Sequence, residues 1–153
     1  MVLTFRVGAN AYAIDARRIV EVVPRVVLRS IPHAPRSFVG LFHYRGSIAP
    51  VVDMGLLIGA NACRDVLSTR IILVDAPGRD GTTMLLGLVA EHVDDLKRVA
   101  AEGDLFPAMR LEAAPYLGPI LRADDILVQL IAVEHVLPES MRGAIHGVQP
   151  EGP

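Results

Sequence analysis

Residues 38–59 read FVGLFHYRGSIAPVVDMGLLIG and carry the strongest structural signal of the chain. Two apolar segments, Phe38–Tyr44 and Ser47–Val52, are separated only by Arg45 and Gly46. Apolar runs joined by a two-residue turn are typical of a β-hairpin, and Gly46 supplies the backbone freedom that such a turn needs. We therefore predict two buried strands with Arg45 at the tip between them.

The hairpin is followed by the signals of one short helix. Asp53 is a favourable N-cap for a helix over Met54–Ile58, and Gly59 is a favourable C-terminal stop. The charge at the hairpin tip has two interpretations: Arg45 pairs inside the protein, with Asp53 or Glu21, or it faces a partner. The two are compatible, and neither requires a catalytic site.

Length and composition indicate one globular domain with a large aliphatic core. The chain has 153 residues, of which 52% are hydrophobic and 21% charged, and it lacks tryptophan. Its net charge of -2 argues against a nucleic-acid binder, which would need a basic face. The single cysteine, Cys63, excludes an internal disulfide and is typical of a reducing cytoplasm. No signal peptide is recognisable and no apolar run reaches the ~18 residues of a membrane helix, so we expect a cytoplasmic protein without direct membrane insertion.

Short β segments dominate the rest of the chain and predict a barrel or a pair of barrels. Further antiparallel pairs are expected over residues 2–7 and 11–14, 69–75 and 82–89, and 116–121 and 126–131. Other expectations are a helix over 16–23, strands over 26–31 and 91–99, an exposed loop over 100–114 and a helical turn over 132–137. The domain is expected to span 1–138, followed by a flexible C-terminal tail over 139–153.

The chemistry-bearing residues form no catalytic or metal-binding pattern. The five histidines show no HxH or HExxH spacing, no serine has a GxSxG setting, and Cys63 has no second cysteine with which to share a metal. Residues 78–81 lack the following Lys-Ser or Lys-Thr of a phosphate loop. We therefore expect no enzyme activity, no metal and no cofactor. A barrel that binds small molecules or oligonucleotides is a weaker alternative, because Lys97 is the only lysine and aromatic residues make up 5%.

The ordered set of motifs resembles the CheW family of chemotaxis coupling proteins over roughly residues 2–138. Tyr-Ala-Ile-Asp at 12–15 and Ile-Val-Glu-Val-Val at 19–23 resemble the opening of that family, and Ile-Pro-His-Ala-Pro at 31–35 resembles its I-P-x-x-P loop. The most specific family block, G-x-x-x-x-R-G-x-x-x-P-V-x-D, matches residues 40–53.

The resemblance implies both a fold and a function. The fold is mainly β, with two intertwined five-stranded barrels of the OB or SH3-like kind and a few short helices. The function is that of a non-catalytic adaptor, which couples the cytoplasmic helical hairpin of a chemoreceptor (a methyl-accepting protein) to the regulatory domain of a CheA-type histidine kinase at membrane-associated receptor arrays. Two alternatives stay open: a coupler in a non-flagellar pathway, such as surface sensing, pili or a second messenger, and an orphan β-barrel interaction module.

The candidate receptor-binding residues lie in the central hairpin. A receptor helix is expected to dock in an apolar groove between the barrels. Arg45 at the rim of that groove would bind a carbonyl or carboxylate, and His43, Val39 and Leu41 would complete the surface. The kinase is expected to contact strand edges and apolar turn residues of one barrel, without a prediction of individual residues.

Three positions depart from the family pattern. His43 stands where the family often has asparagine, Gly55 where a basic residue is frequent, and Ala132 where an acid is common. All three concern surface chemistry and not the core, so they indicate a divergent coupler with its own choice of partners.

Overall fold

A computed structural model describes residues 1–137, except for the side chain of Arg79; the tail predicted over 139–153 lies outside the described residues. In the described part, eleven strands form two sheets. The strands are β1 (Val2–Val7), β2 (Asn10–Asp15), β3 (Ile19–Pro24), β4 (Phe38–Tyr44), β5 (Ser47–Asp53), β6 (Arg70–Pro77), β7 (Thr83–Ala90), β8 (Leu96–Lys97), β9 (Val99–Phe106), β10 (Leu117–Ala123) and β11 (Ile126–Ile131). The helical elements are α1 (Met54–Ile58) and 3₁₀ turns at Ala16–Arg18, Arg79–Gly81 and Val133–His135.

The first sheet has the strand order β8-β1-β2-β11-β10-β9 and closes on itself. Its two outermost strands, β8 and β9, are separated in the chain by Arg98 alone and act as one bent strand. Lys97 pairs with Val2 on β1, and Val99 pairs with Ala123 on β10. The result is a five-stranded barrel, barrel 1, which leaves no long free edge.

The second sheet has the strand order β3-β6-β7-β5-β4 and is closed by the chain that leaves β3. Arg29 and Leu41 exchange both main-chain hydrogen bonds across this seam, at N···O distances of 3.1 and 2.8 Å. Gly40, at φ +146, lies in the seam, and a Cβ there would meet the Arg29 carbonyl oxygen at 2.7 Å. This seam completes a second five-stranded barrel, barrel 2.

The two barrels share one topology but differ in how the chain enters them. Barrel 2 is continuous over 19–90, whereas barrel 1 combines 2–15 with 96–131. Each barrel contains one parallel pair, β2–β11 in barrel 1 and β5–β7 in barrel 2, and its other pairs are antiparallel. The strand order of barrel 1 is therefore a circular permutation of that of barrel 2. In the chain, barrel 2 is inserted into barrel 1 between β2 and β8. The predicted fold of two intertwined five-stranded barrels is confirmed.

Three clusters of buried apolar side chains form the core: one in each barrel and the largest between the barrels. Strand β6 contributes to two of them. Ile71 and Leu73 point into barrel 2, whereas Ile72 and Val74 face barrel 1. A strand buried on both faces needs apolar side chains at consecutive positions, which explains the unbroken run in β6.

The predicted helix over 16–23 is wrong. Asp15 does cap a helical turn, accepting a hydrogen bond from the Arg17 N–H, but the turn ends at Arg18. Residues Ile19–Pro24 form β3 and pair with β6. The apolar residues of this segment are β-branched and fit a pleated surface better than a helix, and the distant partner strand decides the outcome.

Three other expectations need correction. Residues 26–31 form no strand and contribute only the single bridge at Arg29. The loop expected over 100–114 begins only after Phe106, because Val99–Phe106 form strand β9. The strand expected over 91–99 is reduced to Leu96–Lys97 and the start of β9. The predicted hairpins and the helical turn before residue 138 are confirmed.

Candidate functional site

The β4–β5 turn consists of Arg45 and Gly46, and both residues have a left-handed backbone. Their φ angles are 48° and 81°, as in the type I′ turn that suits a two-residue hairpin. A Cβ on Gly46 would meet no atom within 4 Å, so backbone conformation and not space favours glycine there. The Arg45 side chain at this turn is exposed.

The side chain of Glu21, on β3, connects the two edge strands of barrel 2. The Tyr44 hydroxyl donates a hydrogen bond to Glu21 Oε1, and Arg45 Nη2 lies 3.4 Å from the same oxygen. The Arg45 guanidinium carbon is 5.1 Å from the centre of the Tyr44 ring. The hydrogen bond to the carboxylate is the main reason that the pKa of Tyr44 is raised, and loss of hydration is the second. The internal partner of Arg45 is therefore Glu21 and not Asp53.

The Arg45–Glu21 pair is exposed to solvent. The Arg45 side chain is 77% exposed and that of Glu21 is 40% exposed. Ion pairs in such surroundings contribute about 0–1 kcal/mol to stability, because water competes with the pair. Arg45 can consequently be oriented by Glu21 and still be available to a partner.

The other three candidate residues do not share one surface. His43 is exposed and lies on the same face of β4 as Leu41, which is half-buried against the inter-barrel core. Val39 packs toward the interior of barrel 2. A break in the strand register between Phe38 and Gly40 reverses the alternation, so Val39 and Leu41 face different clusters.

A groove of about 790 Å³, which we call the inter-barrel groove, runs along barrel 1 beside the junction with barrel 2. Its lining includes apolar and charged side chains, among them Arg18, Met109, Leu111, Leu117, Ala132 and Glu134. Arg45 is not in this lining and instead borders a separate depression of about 320 Å³ on barrel 2. The segment 108–112, predicted only as part of a loop, forms one wall of the groove. Its alternation of Met109 and Leu111 with charged residues is the sequence signal for that role.

Asp53 holds α1 and the following loop together. Its side chain is 1% exposed and accepts hydrogen bonds from the N–H groups of Leu56, at 3.0 Å, and Cys63, also at 3.0 Å. The Cys63 thiol donates to the Val89 carbonyl oxygen, and burial together with the nearby Asp53 charge raises the pKa of that thiol to about 12. Gly59 ends the helix, with its N–H donating to the Gly55 carbonyl oxygen at 2.9 Å. These residues have structural roles.

One end of barrel 2 carries an apolar surface that the sequence did not reveal. We call it the end surface; it consists of Val26, Val27, Val66 and Leu67. Val27 is 99% exposed and Leu67 is 91% exposed. The two loops that carry them are tied together because Arg25 Nη1 donates to the Cys63 carbonyl oxygen at 3.0 Å.

Residues 1–137 contain neither a candidate metal site nor a candidate membrane-spanning helix. No group of three or more His, Cys, Asp or Glu side chains in this part of the chain could hold a metal ion. None of its helices is long and apolar enough to cross a membrane.

Comparison with known proteins decides the family. The family model of the CheW-like domain matches residues 1–141. The chain belongs to the CheW-like family. Chemotaxis protein CheW of Rhizobium meliloti (strain 1021) is 23% identical to this CheW-like chain over 145 residues, which cover 93% of this chain and 90% of the relative. Chemotaxis protein CheW of Helicobacter pylori (strain ATCC 700392 / 26695) is 30% identical over 134 residues, covering 87% and 78%.

A solved structure supports the same fold for this CheW-like chain. The scaffolding protein TtCheW from Thermoanaerobacter tengcongensis matches it with a TM-score of 0.75 and 22% identity, covering 90% of this chain and 86% of that one. The CheW-like family consists of non-catalytic scaffold proteins that couple receptors to CheA kinases in chemotaxis. The chain is thus an adaptor of the chemotaxis coupling type.

Proposed function

We propose that this CheW-like protein bridges the cytoplasmic helical hairpin of a chemoreceptor and the regulatory domain of a CheA-type histidine kinase, in the cytoplasm at membrane-associated arrays. The observation that carries the proposal is the family match over 1–141. The protein itself catalyses no reaction in this role. Residues 1–138 form the coupling domain, and the C-terminal residues 139–153 follow it.

The receptor contacts the face of barrel 2 around the β4–β5 turn. Arg45 supplies an exposed guanidinium, which can bind a carboxylate or a carbonyl group at the end of a helix in a fixed direction. His43 lies on the same strand and is also exposed, with Leu41 as apolar support behind it. Val39 acts indirectly, because its side chain packs inside barrel 2 and supports the strand.

The kinase contacts the end surface. Both barrels are closed, so their strand edges offer little main chain for a partner to pair with. Fully exposed aliphatic side chains such as Val27 and Leu67 are instead the groups that gain most from being covered. Their position at one end of barrel 2, away from Arg45, leaves room for both partners to bind at once.

The test is calorimetric titration of the full-length protein with a receptor cytoplasmic fragment and, separately, with the kinase regulatory domain. Arg45→Ala should weaken receptor binding about tenfold and leave kinase binding unchanged, and Leu67→Asp should do the reverse. Arg122→Ala is a matched control, because Arg122 makes a similar exposed pair with Glu102, at 2.8 Å, on barrel 1. Absence of binding to both partners by the wild-type protein would refute the coupling role.

The inter-barrel groove is the alternative binding site for the receptor helix, and one further variant distinguishes it from the site around the β4–β5 turn. Leu111→Asp places a charge in the groove wall without touching the β4–β5 turn. If this variant loses the receptor while Arg45→Ala keeps it, the receptor lies in the groove and the proposed site on β4 is wrong. If only Arg45→Ala loses the receptor, the β4 site stands.

A further inference from the structure

Another cavity, of about 510 Å³, lies between the β1–β2 hairpin, the loop after α1 and the residues that follow β7. None of its lining residues belongs to the inter-barrel groove, the β4–β5 turn or the end surface. We propose that this cavity binds the phosphate group of a small phosphorylated ligand. The proposal does not depend on the coupling role.

The charged groups that line this cavity leave an excess of positive charge. Arg64 donates hydrogen bonds to both carboxylate oxygens of Glu91. Its main-chain N–H donates to Oε2 and its Nε to Oε1, each at 2.9 Å. Arg6 lies directly opposite Glu91, to whose carbonyl oxygen its main-chain N–H donates at 3.1 Å. Arg6 lines the same cavity, and the carboxylate of the residue opposite it is already occupied by Arg64.

The Arg6 guanidinium has no hydrogen bond and no ion pair with any residue of the described part, 1–137. The pKa of Asp94 is lowered mainly by the hydrogen bond from the Asp95 N–H and by Lys97, which pairs with it at 3.3 Å, and least by the charge of Arg6. His92 adds a ring nitrogen 3.5 Å from Arg64 Nη2. A cavity lined by one unpaired arginine and a second arginine is suited to an anion with several oxygens, because each guanidinium presents a planar fork of donors.

The loop wall of the cavity favours close approach of such an anion. Residues 59–62 read Gly-Ala-Asn-Ala, so small side chains leave the main chain accessible. The main-chain N–H groups of Ala60, Asn61 and Ala62 have no hydrogen-bond partner among the described residues. Asn10 and Asn61, which carry side-chain amides, also line the cavity. Free main-chain N–H groups and amide donors are the groups that bind phosphate oxygens in proteins without a metal.

Size and the remaining lining indicate that the ligand is larger than a phosphate ion. Ligand cavities commonly span about 300–1,000 Å³, and this one, at about 510 Å³, lies within that range. Val7, Tyr12 and Ile58 supply an apolar portion of the wall. A phosphate monoester with a ring-sized organic part would satisfy both portions.

The experiment is calorimetric titration of the full-length protein with inorganic phosphate, ribose 5-phosphate and AMP, at ionic strength matched with chloride. We expect saturable 1:1 binding, about tenfold tighter for a monoester than for inorganic phosphate, and about tenfold weaker binding of all probes to Arg6→Gln. Arg98→Gln is the control, because Arg98 is also exposed and its side chain has no partner in the described structure. Thermal unfolding of Arg6→Gln should match that of the wild type, since the substituted side chain is exposed.

The outcomes are distinguishable. Equal affinity for inorganic phosphate and the monoesters, lost in Arg6→Gln, would keep the site and identify the free ion as its ligand. Lack of saturation with every probe would overturn the proposal. Equal weakening by Arg6→Gln and Arg98→Gln would also overturn it, because the binding would then be a general effect of surface charge.

Discussion

Replacing Asp53 by alanine tests the network that holds α1 against the rest of barrel 2. The substitution removes two hydrogen bonds at once, those from the N–H groups of Leu56 and Cys63. Loss of an N-cap costs about 1 kcal/mol. A buried N–H left without an acceptor, as that of Cys63 would be, costs a further 1–3 kcal/mol or so. We therefore expect the free energy of unfolding to fall by about 2–4 kcal/mol.

Urea denaturation followed by circular dichroism measures this loss, and thermal unfolding gives a second reading. Each kcal/mol corresponds to roughly 2–4 °C in Tm for a chain of this length, so the midpoint should fall by about 10 °C. Asp53→Asn should lose about half as much, because its amide oxygen can still accept from Leu56. Asp125→Ala, in the exposed β10–β11 turn, should stay within about 0.5 kcal/mol of the wild type. If Asp53→Ala also stays within that margin, or if asparagine costs as much as alanine, hydrogen bonding is not the reason for the buried carboxylate.

Four further outcomes follow from single positions. Gly40→Ala should lower the free energy of unfolding by about 2–4 kcal/mol in urea titrations. Residue 40 has a φ of +146°, and a Cβ there would lie 2.7 Å from the Arg29 carbonyl oxygen. A neutral effect would show that the barrel 2 seam is loose. Alkylation of native Cys63 by iodoacetamide at pH 8 should be far slower than that of the urea-unfolded chain, since the pKa of its buried thiol is about 12, and equal rates would contradict the buried geometry. Burial raises the pKa of Glu91, but the hydrogen bonds from Arg64 outweigh this effect and hold that pKa below 4.5. The resulting stability is present above pH 4.5 and is lost as the pH falls below it. Glu91→Gln should therefore have a flatter pH dependence of Tm in acid. Ala132→Ser should raise the free energy of unfolding by about 0.5 kcal/mol, because Ala132 is an N-cap without a side-chain hydrogen bond; a loss of stability would show that the groove has no room for the hydroxyl.

The parts of the fold that sequence reasoning predicts are those in which partners are adjacent in the chain. The β4–β5 hairpin is one such case, because its turn and both apolar strands lie within 38–53. Strand β3 is the opposite case: within residues 1–137 its only strand partner is β6, whose sequence lies far away, and the spacing of its apolar residues resembles that of a helix face. Strand β9 escapes prediction because it is largely exposed and contains Gly103, so it carries neither apolar alternation nor a β-rich composition.

The same distinction applies to the functional surfaces. Sequence reasoning names Arg45 and considers Glu21 as its internal partner, because a charge at a hairpin tip is unusual enough to require one. It does not group Val27 with Leu67, since the link between their loops is a side-chain contact between segments that are distant in the chain. Nor does it find the cavity at Arg6, whose character depends on a carboxylate occupied by Arg64 and not on a motif.

The insertion of one barrel into the other sets an order for folding during synthesis. Barrel 2 holds all its strands within 19–90, so it can complete its pairings while the ribosome is still translating the second half of the chain. The β1–β2 hairpin emerges earlier, but its parallel neighbour, β11, is the last of the described strands to be synthesised. Until then the free edge of β2 and the face of β6 that barrel 1 covers are open to other chains, so aggregation competes with folding until the late strands pair.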